Sequence, residues 1–269
     1  MSGMKMRTLH GLHYEIRNTL RSRNFWCYII VCILMCISGY VQGGAFDGAF
    51  GFLAGIERFS LEDISMNNVI QWLMPHLLLS VYIGEYGERD MRMQRLIMPR
   101  YATLKSYWRF QAVKLLIISL MYYALIILLS SLASYALGNR LIKVSEVVLS
   151  RHNLYSGNMP ASWIVMLDIL LRTGLSMAMV GIVQLALAWF TGSQRFGVAA
   201  FAMLMIVPLF IIDTNVQRIL PCDMSMYMRG GSVTDGLSLI WVCVICAVGI
   251  FAATEILCLA SRRRTIIVN

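Results

Sequence analysis

At 269 residues, with 58% hydrophobic and 14% charged residues and a mean hydropathy of +0.68, the chain is too apolar for an ordinary soluble domain, in which charged residues alone make up about a quarter. The bilayer is its expected solvent, and one bundle of spans uses the length without leaving room for a large soluble domain. A net charge of +9 could suit nucleic acid, but the lysines and arginines stand in a few short stretches between apolar runs, which is the pattern of membrane orientation.

The first segment, Met4 to Arg23, spaces Leu9, Leu12, Ile16 and Leu20 at intervals of three, four and four, with Arg17, Arg21 and Arg23 on other faces. Two readings stay open: an amphipathic helix along the inner leaflet, or a basic tail that fixes topology. Both put residues 1–23 on the cytoplasmic side. His10, His13 and Glu15 precede the first apolar run and no small-residue cleavage site follows promptly, so the first span is expected to be retained.

Six stretches lack Asp, Glu, Lys and Arg: Asn24 to Phe46, Ile64 to Gly84, Leu115 to Asn139, Thr173 to Gln194, Phe196 to Ile212 and Gly236 to Thr254. A helix rises about 1.5 Å per residue and the hydrocarbon core is ~30 Å thick, so each is long enough, or nearly so, to span. The expected fold is an all-α membrane protein whose domain, residues 24–259, has spans at about 25–42, 66–84, 115–138, 164–191, 196–212 and 237–259, followed by a cytoplasmic tail over 260–269. The second run is the most polar, with Asn67, Asn68, Gln71, Pro75 and His76, so its lipid-buried part is expected over Val69 to Ile83 with a proline-linked kink or wide turn at the outer end. Gly157, Asn158 and Pro160 predict a loop before a fourth helix that begins near Trp163.

With the N-terminus inside, 16 of the 23 Lys and Arg residues fall on the cytoplasmic side, whereas Asp47, Glu57, Glu62 and Asp63 fill the first outer loop. Both termini are therefore expected in the cytoplasm of a multi-pass plasma-membrane protein. Arg140 to Arg151 runs against the trend without reversing the total.

Ionisable groups inside spans are functional candidates by default. Glu255, near the inner end of the sixth span, has Lys114 or an interfacial arginine as an expected partner. Asp168 and Arg172 stand four apart, which places them on one helical face and predicts a mutual pair. His76 has no acidic or cysteine neighbour in sequence and is read as a hydrogen-bonded packing residue. The sequence holds no HExxH, no GxSxG and no adjacent acidic pair of the intramembrane-protease type, so catalytic, cofactor and metal sites are not expected on this chain. Six of the seven cysteines lie in apolar runs, and Cys222 alone is placed outside the spans, on the external side. Ser130, Ser134 and Gly138, Gly174 and Ala178, and Gly249 and Ala253 are small residues four apart, which allow close helix approach.

The richest segment joins the second and third spans. Gly84 to Lys114 begins acidic, passes through a basic amphipathic stretch and Pro99, and re-enters the membrane behind Lys114. Glu85, Gly87, Leu96, Pro99, Arg100, Tyr107 and Lys114 resemble a degenerate pattern of the ABC-2 exporter permeases: a Glu at the inner surface, a Gly, a short helix, a Pro/Ser/Arg turn, an aromatic, and a Lys opening the third span. After Pro99 the chain departs from the commonest form, with Tyr-Ala-Thr in place of a Ser-Arg pair.

The resemblance implies a membrane-spanning subunit of an ATP-driven exporter, paired with itself or a related permease. A coupling helix between spans two and three would dock on a separate ATPase, with Glu85, Glu88, Arg92, Arg95, Leu96, Pro99 and Arg100 as contact residues. Arg17, Arg21, Lys114 and Glu255 would be supporting residues near the inner surface. The chain has no Gly-x-x-x-x-Gly-Lys-Ser/Thr loop, so ATP and Mg would be bound by the partner. Membrane lipid is an expected partner and nucleic acid is not. Amphipathic peptides, drugs and lipid-like molecules are the cargo classes that the resemblance suggests. The bland alternative for the connection is a basic loop that touches anionic headgroups, and the rival for the whole chain is a stand-alone immunity or sensor protein.

Overall fold

A computed structural model describes residues 2–43, 53–55, 66–97, 103–136, 157, 161–210, 214–231 and 236–267. Among them every regular element is helical: α1 (Ser2–Arg21), α2 (Arg23–Gly43), α3 (Met66–Ile97), α4 (Leu104–Ala136), α5 (Ser162–Thr191), α6 (Gln194–Ile206), the short α7 (Thr214–Gln217) and α8 (Pro221–Ser225), and α9 (Leu239–Ile267). Tight 3-10 turns follow at Val207–Phe210 and Tyr227–Arg229. In lipid a helix is the one open structure that satisfies every backbone polar group within its own segment, so an apolar chain of this composition folds this way.

Three helices are long and apolar enough to cross a membrane: Lys105–Ala136, Ser162–Thr191 and Leu239–Ala260. Arg23–Met35 and Gln194–Leu209 are apolar but shorter, so among the described residues length and composition alone support three of the six expected spans. The second expected span differs for a physical reason. Its polar groups are spent inside the bundle: Tyr123 Oη and His76 Nδ1 lie 3.1 Å apart, and Ser80 Oγ donates to Gln184 Oε1 at 3.0 Å while Gln184 Nε2 donates to the Ser80 carbonyl at 2.8 Å. Pro75 lies inside α3 and produces no wide turn there. Its carbonyl accepts a hydrogen bond from Tyr122 Oη at 3.2 Å.

Helix ends also differ from the expected span ends. α3 runs unbroken from Met66 to Ile97, so the short coupling helix expected as a separate element is the continuation of the second helix. α4 begins at Leu104 rather than 115, and α9 extends to Ile267 through most of the expected tail. Glu, Arg, Met and Gln are good helix formers, so a charge marks where the lipid ends and not where the helix does. The loop expected before α5 is supported by Gly157 at φ 72°, and α5 begins at Ser162, one residue before the predicted Trp163.

α5 is the central element, packed against α3, α4, α6, α8 and α9. Its small residues admit these neighbours: a Cβ on Gly174 would come within 2.5 Å of Leu120 Cδ2. Gly192, at φ 71°, ends α5 in the left-handed conformation that glycine adopts without strain, and α6 starts two residues later. Immediately inside α6, a Cβ on Gly197 would sit 2.7 Å from the backbone carbonyl of Gln184, which cannot rotate away. Gly197→Ala is therefore expected to destabilise the bundle by about 1–3 kcal/mol, read as a lower unfolding midpoint in detergent. An unchanged midpoint would mean that α5 and α6 are not this close.

Candidate functional site

The elbow between α1 and α2 builds the site. The Ser22 amide donates to the Thr19 carbonyl at 3.0 Å, and the Phe25 amide to Ser22 Oγ at 3.4 Å, so one serine closes the first helix and opens the second. Trp26 Nε1 reaches back to the Leu20 carbonyl at 2.7 Å and fixes the bend. Asn24 and Tyr28, one turn apart on α2, then face α3.

Both find Glu85. Asn24 Nδ2 donates to one carboxylate oxygen at 2.9 Å and Tyr28 Oη to the other at 2.7 Å. The next residue, Tyr86, donates its hydroxyl to the Glu15 carboxylate on α1, and its ring receives the Lys114 ammonium of α4 at 3.9 Å from the centroid. Lys114 is 1% exposed, so it lies inside the packing, with its charge over a ring quadrupole. α1, α2, α3 and α4 thus meet through Glu15, Glu85, Tyr86 and Lys114, at the point where α3 passes from the apolar bundle into its charged extension.

A cleft of about 290 Å³ opens beside this junction, lined by Asn18, Arg21, Ser22, Asn24, Tyr82, Glu85 and Tyr86. Of the residues singled out from sequence, Glu85, Arg21 and Lys114 gather around this junction. Arg17 on α1 and Glu88 on α3 are exposed. Arg92, Arg95 and Leu96 lie on the backbone of α3, but their side chains, and the whole of Pro99 and Arg100, lie outside the described residues. Glu255 belongs elsewhere. It accepts from Lys105 Nζ at 2.8 Å and Arg109 Nη2 at 3.2 Å, and not from Lys114. α4 starts about three turns before the uncharged run, and that extra length brings Lys105 and Arg109 beside α9.

Glu15, Asn24, Tyr28 and Tyr86 were not singled out from sequence. The available signal was their spacing: Asn24 and Tyr28 are four apart on one face of α2, and Tyr82 and Tyr86 four apart on α3.

At the other end of α5, the predicted pair forms, with Arg172 Nε donating to Asp168 Oδ1 at 2.6 Å. Arg172 Nη1 also donates to the Leu237 carbonyl at 3.0 Å. A second buried pair, Arg229 to Asp223 at 2.5 Å, holds the segment around α8. Cys222 in that segment is buried, and burial pushes its thiol up, so a thiol reagent meets it only after unfolding. It cannot report sidedness as expected from sequence. Ala161, exposed at the start of α5 and assigned to the same outer side, is the better position for a labelling cysteine.

Among the described residues no group of three or more His, Cys, Asp or Glu is placed to hold a metal. His76 is buried against Trp72 and Tyr123, with ring centroids 4.7 and 5.6 Å away, which fits the packing role read from sequence. Compared with known proteins, the chain matches no family model, no curated protein and no solved structure. Glu85 and Tyr86 tie α3, at the base of its charged extension, to α1, α2 and α4.

Proposed function

We propose that the chain is the membrane-spanning permease subunit of an ATP-driven exporter of the ABC-2 type, with six spans, both termini in the cytoplasm, and energy supplied by a separate ATPase. The observation that carries this is the unbroken α3. Beyond Gly84 it continues for about 20 Å as a charged arm, acidic at its base and basic toward its end, at ~1.5 Å per residue, and at that base Glu85 and Tyr86 grip α1, α2 and α4. A loop that served only to fix topology would need neither a rigid helix nor a clamp at its root.

On this reading the ATPase docks on Arg92, Arg95, Leu96 and the turn with Pro99 and Arg100. Its closure tilts α3, and the clamp passes the tilt to three neighbours at once. Export then alternates between two packings of the bundle, in a dimer of this chain or with a related permease. Amphipathic peptides, drugs and lipid-like molecules fit a bundle whose outer faces are apolar.

Purification in mild detergent tests the reading. The chain should retain a Walker-containing ATPase, and the double variant Arg95→Glu, Arg100→Glu should lose it at least tenfold, because two reversed charges at a docking surface each typically cost more than 1 kcal/mol. Recovery of no ATPase, or equal recovery with both charges reversed, would instead favour a stand-alone immunity or sensor protein.

A further inference from the structure

The cleft at the α1–α2 elbow contains two opposite charges that do not pair with each other. Arg21 and Glu85 both line it, yet no hydrogen bond or ion pair joins them. Glu85 holds two neutral donors, Asn24 and Tyr28, and a carboxylate with two oxygens has lone pairs left for a third. Arg21 is exposed and bonds no described residue. The rest of the lining, Asn18, Ser22, Asn24, Tyr82 and Tyr86, is amide, hydroxyl and phenol, so the wall as a whole is neutral and dipolar. The N-terminus of α2, at Arg23, lies at the same elbow, where the positive end of its dipole favours an anion.

A wall with one cation and one anion is complementary to a molecule with one of each. A volume of about 290 Å³ is at the lower edge of small-molecule sites, roughly 300–1,000 Å³, which suits a head group and not a whole amphiphile. The surroundings supply room for the remainder. Val31 lies one turn beyond Tyr28 along α2, and Val81 one turn before Glu85 on α3, and both are exposed. Trp26, also at the surface with its indole N–H tied to Leu20, marks the interfacial level that tryptophan favours.

We propose that this cleft binds a phosphate–ammonium head group, that of an inner-leaflet phosphatidylethanolamine, with the phosphate on Arg21 and the α2 N-terminus and the ammonium on Glu85. The inference rests on this end of the bundle lying at the cytoplasmic interface, but not on coupling to an ATPase. A bound lipid here would brace the α1–α2 elbow against the base of the α3 arm. An anionic glycerol head group would set its phosphate against Glu85 with no ammonium to offset it. A trimethylated choline would have no N–H to give the carboxylate.

The experiment is native mass spectrometry of the full chain exchanged into equimolar phosphatidylethanolamine, phosphatidylglycerol and phosphatidylcholine, with bound lipid quantified. The ethanolamine lipid should be retained about tenfold or more over the other two, the scale of one charge-assisted hydrogen bond. Arg21→Gln should lower retention of the ethanolamine lipid about tenfold, by removing the cation that holds its phosphate, and Arg21→Lys, which keeps the charge, should preserve most of it. Arg21 bonds no described residue, so both variants are expected to fold. Glu85→Gln should admit the choline and ethanolamine lipids equally. Equal retention of all three lipids by the native chain, undiminished retention in Arg21→Gln, or a preference that survives Glu85→Gln would overturn the proposal. So would complete displacement of the lipid by an equimolar amount of soluble glycerophosphoethanolamine, which would make the free head group the ligand. Failure to recover an ATPase would leave these outcomes unchanged.

Discussion

On the exporter reading, a proline at Met91 is expected to uncouple the membrane bundle from the proposed ATPase while leaving both folded and bound. Met91 lies inside α3, between the clamp at Glu85–Tyr86 and the docking positions Arg92 and Arg95. Proline there removes the N–H that a helix gives to the carbonyl four residues back, and its ring collides with that carbonyl, together about 3 kcal/mol or more in a helix interior. At ~1.4 kcal/mol per factor of ten, the straight arm would fall more than a hundredfold in population relative to a bent or broken one. Hydrogen exchange over Ser2–Arg21 gives the readout, because Tyr86 ties α1 to α3 through Glu15. In the native complex, ATP should change exchange in α1. In Met91→Pro the ATPase should stay bound and the change should vanish, while Met91→Ala, a good helix former, should behave like the native chain. An ATP response that persists in Met91→Pro would show that the arm does not carry the motion.

The largest expected effect on stability is at the other end of α5. Arg172 is 1% exposed and is held by Asp168 at 2.6 Å and by the Leu237 carbonyl at 3.0 Å. Gly230 lies directly over the guanidinium, where an added Cβ would come 2.8 Å from Cζ. Removing one partner of a buried pair leaves the other charged, desolvated and unmatched, which typically costs about 3–5 kcal/mol. Arg172→Ala should therefore lower the unfolding midpoint more than Gly197→Ala does, and should release the segment from α8 to Gly231 that packs against α5. The double variant Arg172→Met, Asp168→Leu removes both charges and keeps the volume, so it should recover most of the loss. If Arg172→Ala melts with the native chain, the pair is not buried as described.

These results separate what local pattern encodes from what only tertiary contact decides. The i,i+4 spacing of Asp168 and Arg172 was enough to predict their pair, and Gly157 with Pro160 enough to place the start of α5, because both depend on neighbours in sequence. The end of α3 was not legible from the uncharged run. The uncharged run ends at Gly84, but the residues that follow still favour helix, so the end of the run does not mark the end of the helix. The partners of Glu85 are 57 and 61 residues away, and those of Glu255 are 146 and 150 away, so no window of sequence could assign them. The resemblance places Lys114 among supporting residues near the inner surface, but assigns it no contact on α3. Its burial over Tyr86 follows from α4 beginning a full ten residues earlier, at Leu104, which carries Lys114 into the packed part of the bundle.

The most direct measurement is site-specific photo-cross-linking from position 95 of the full chain in native membranes. A benzophenone side chain placed there should yield one dominant adduct with a nucleotide-hydrolysing cytoplasmic protein, and its yield should change when vanadate traps the ATPase. Adducts with lipid alone, or with proteins outside the cytoplasm, would contradict the account.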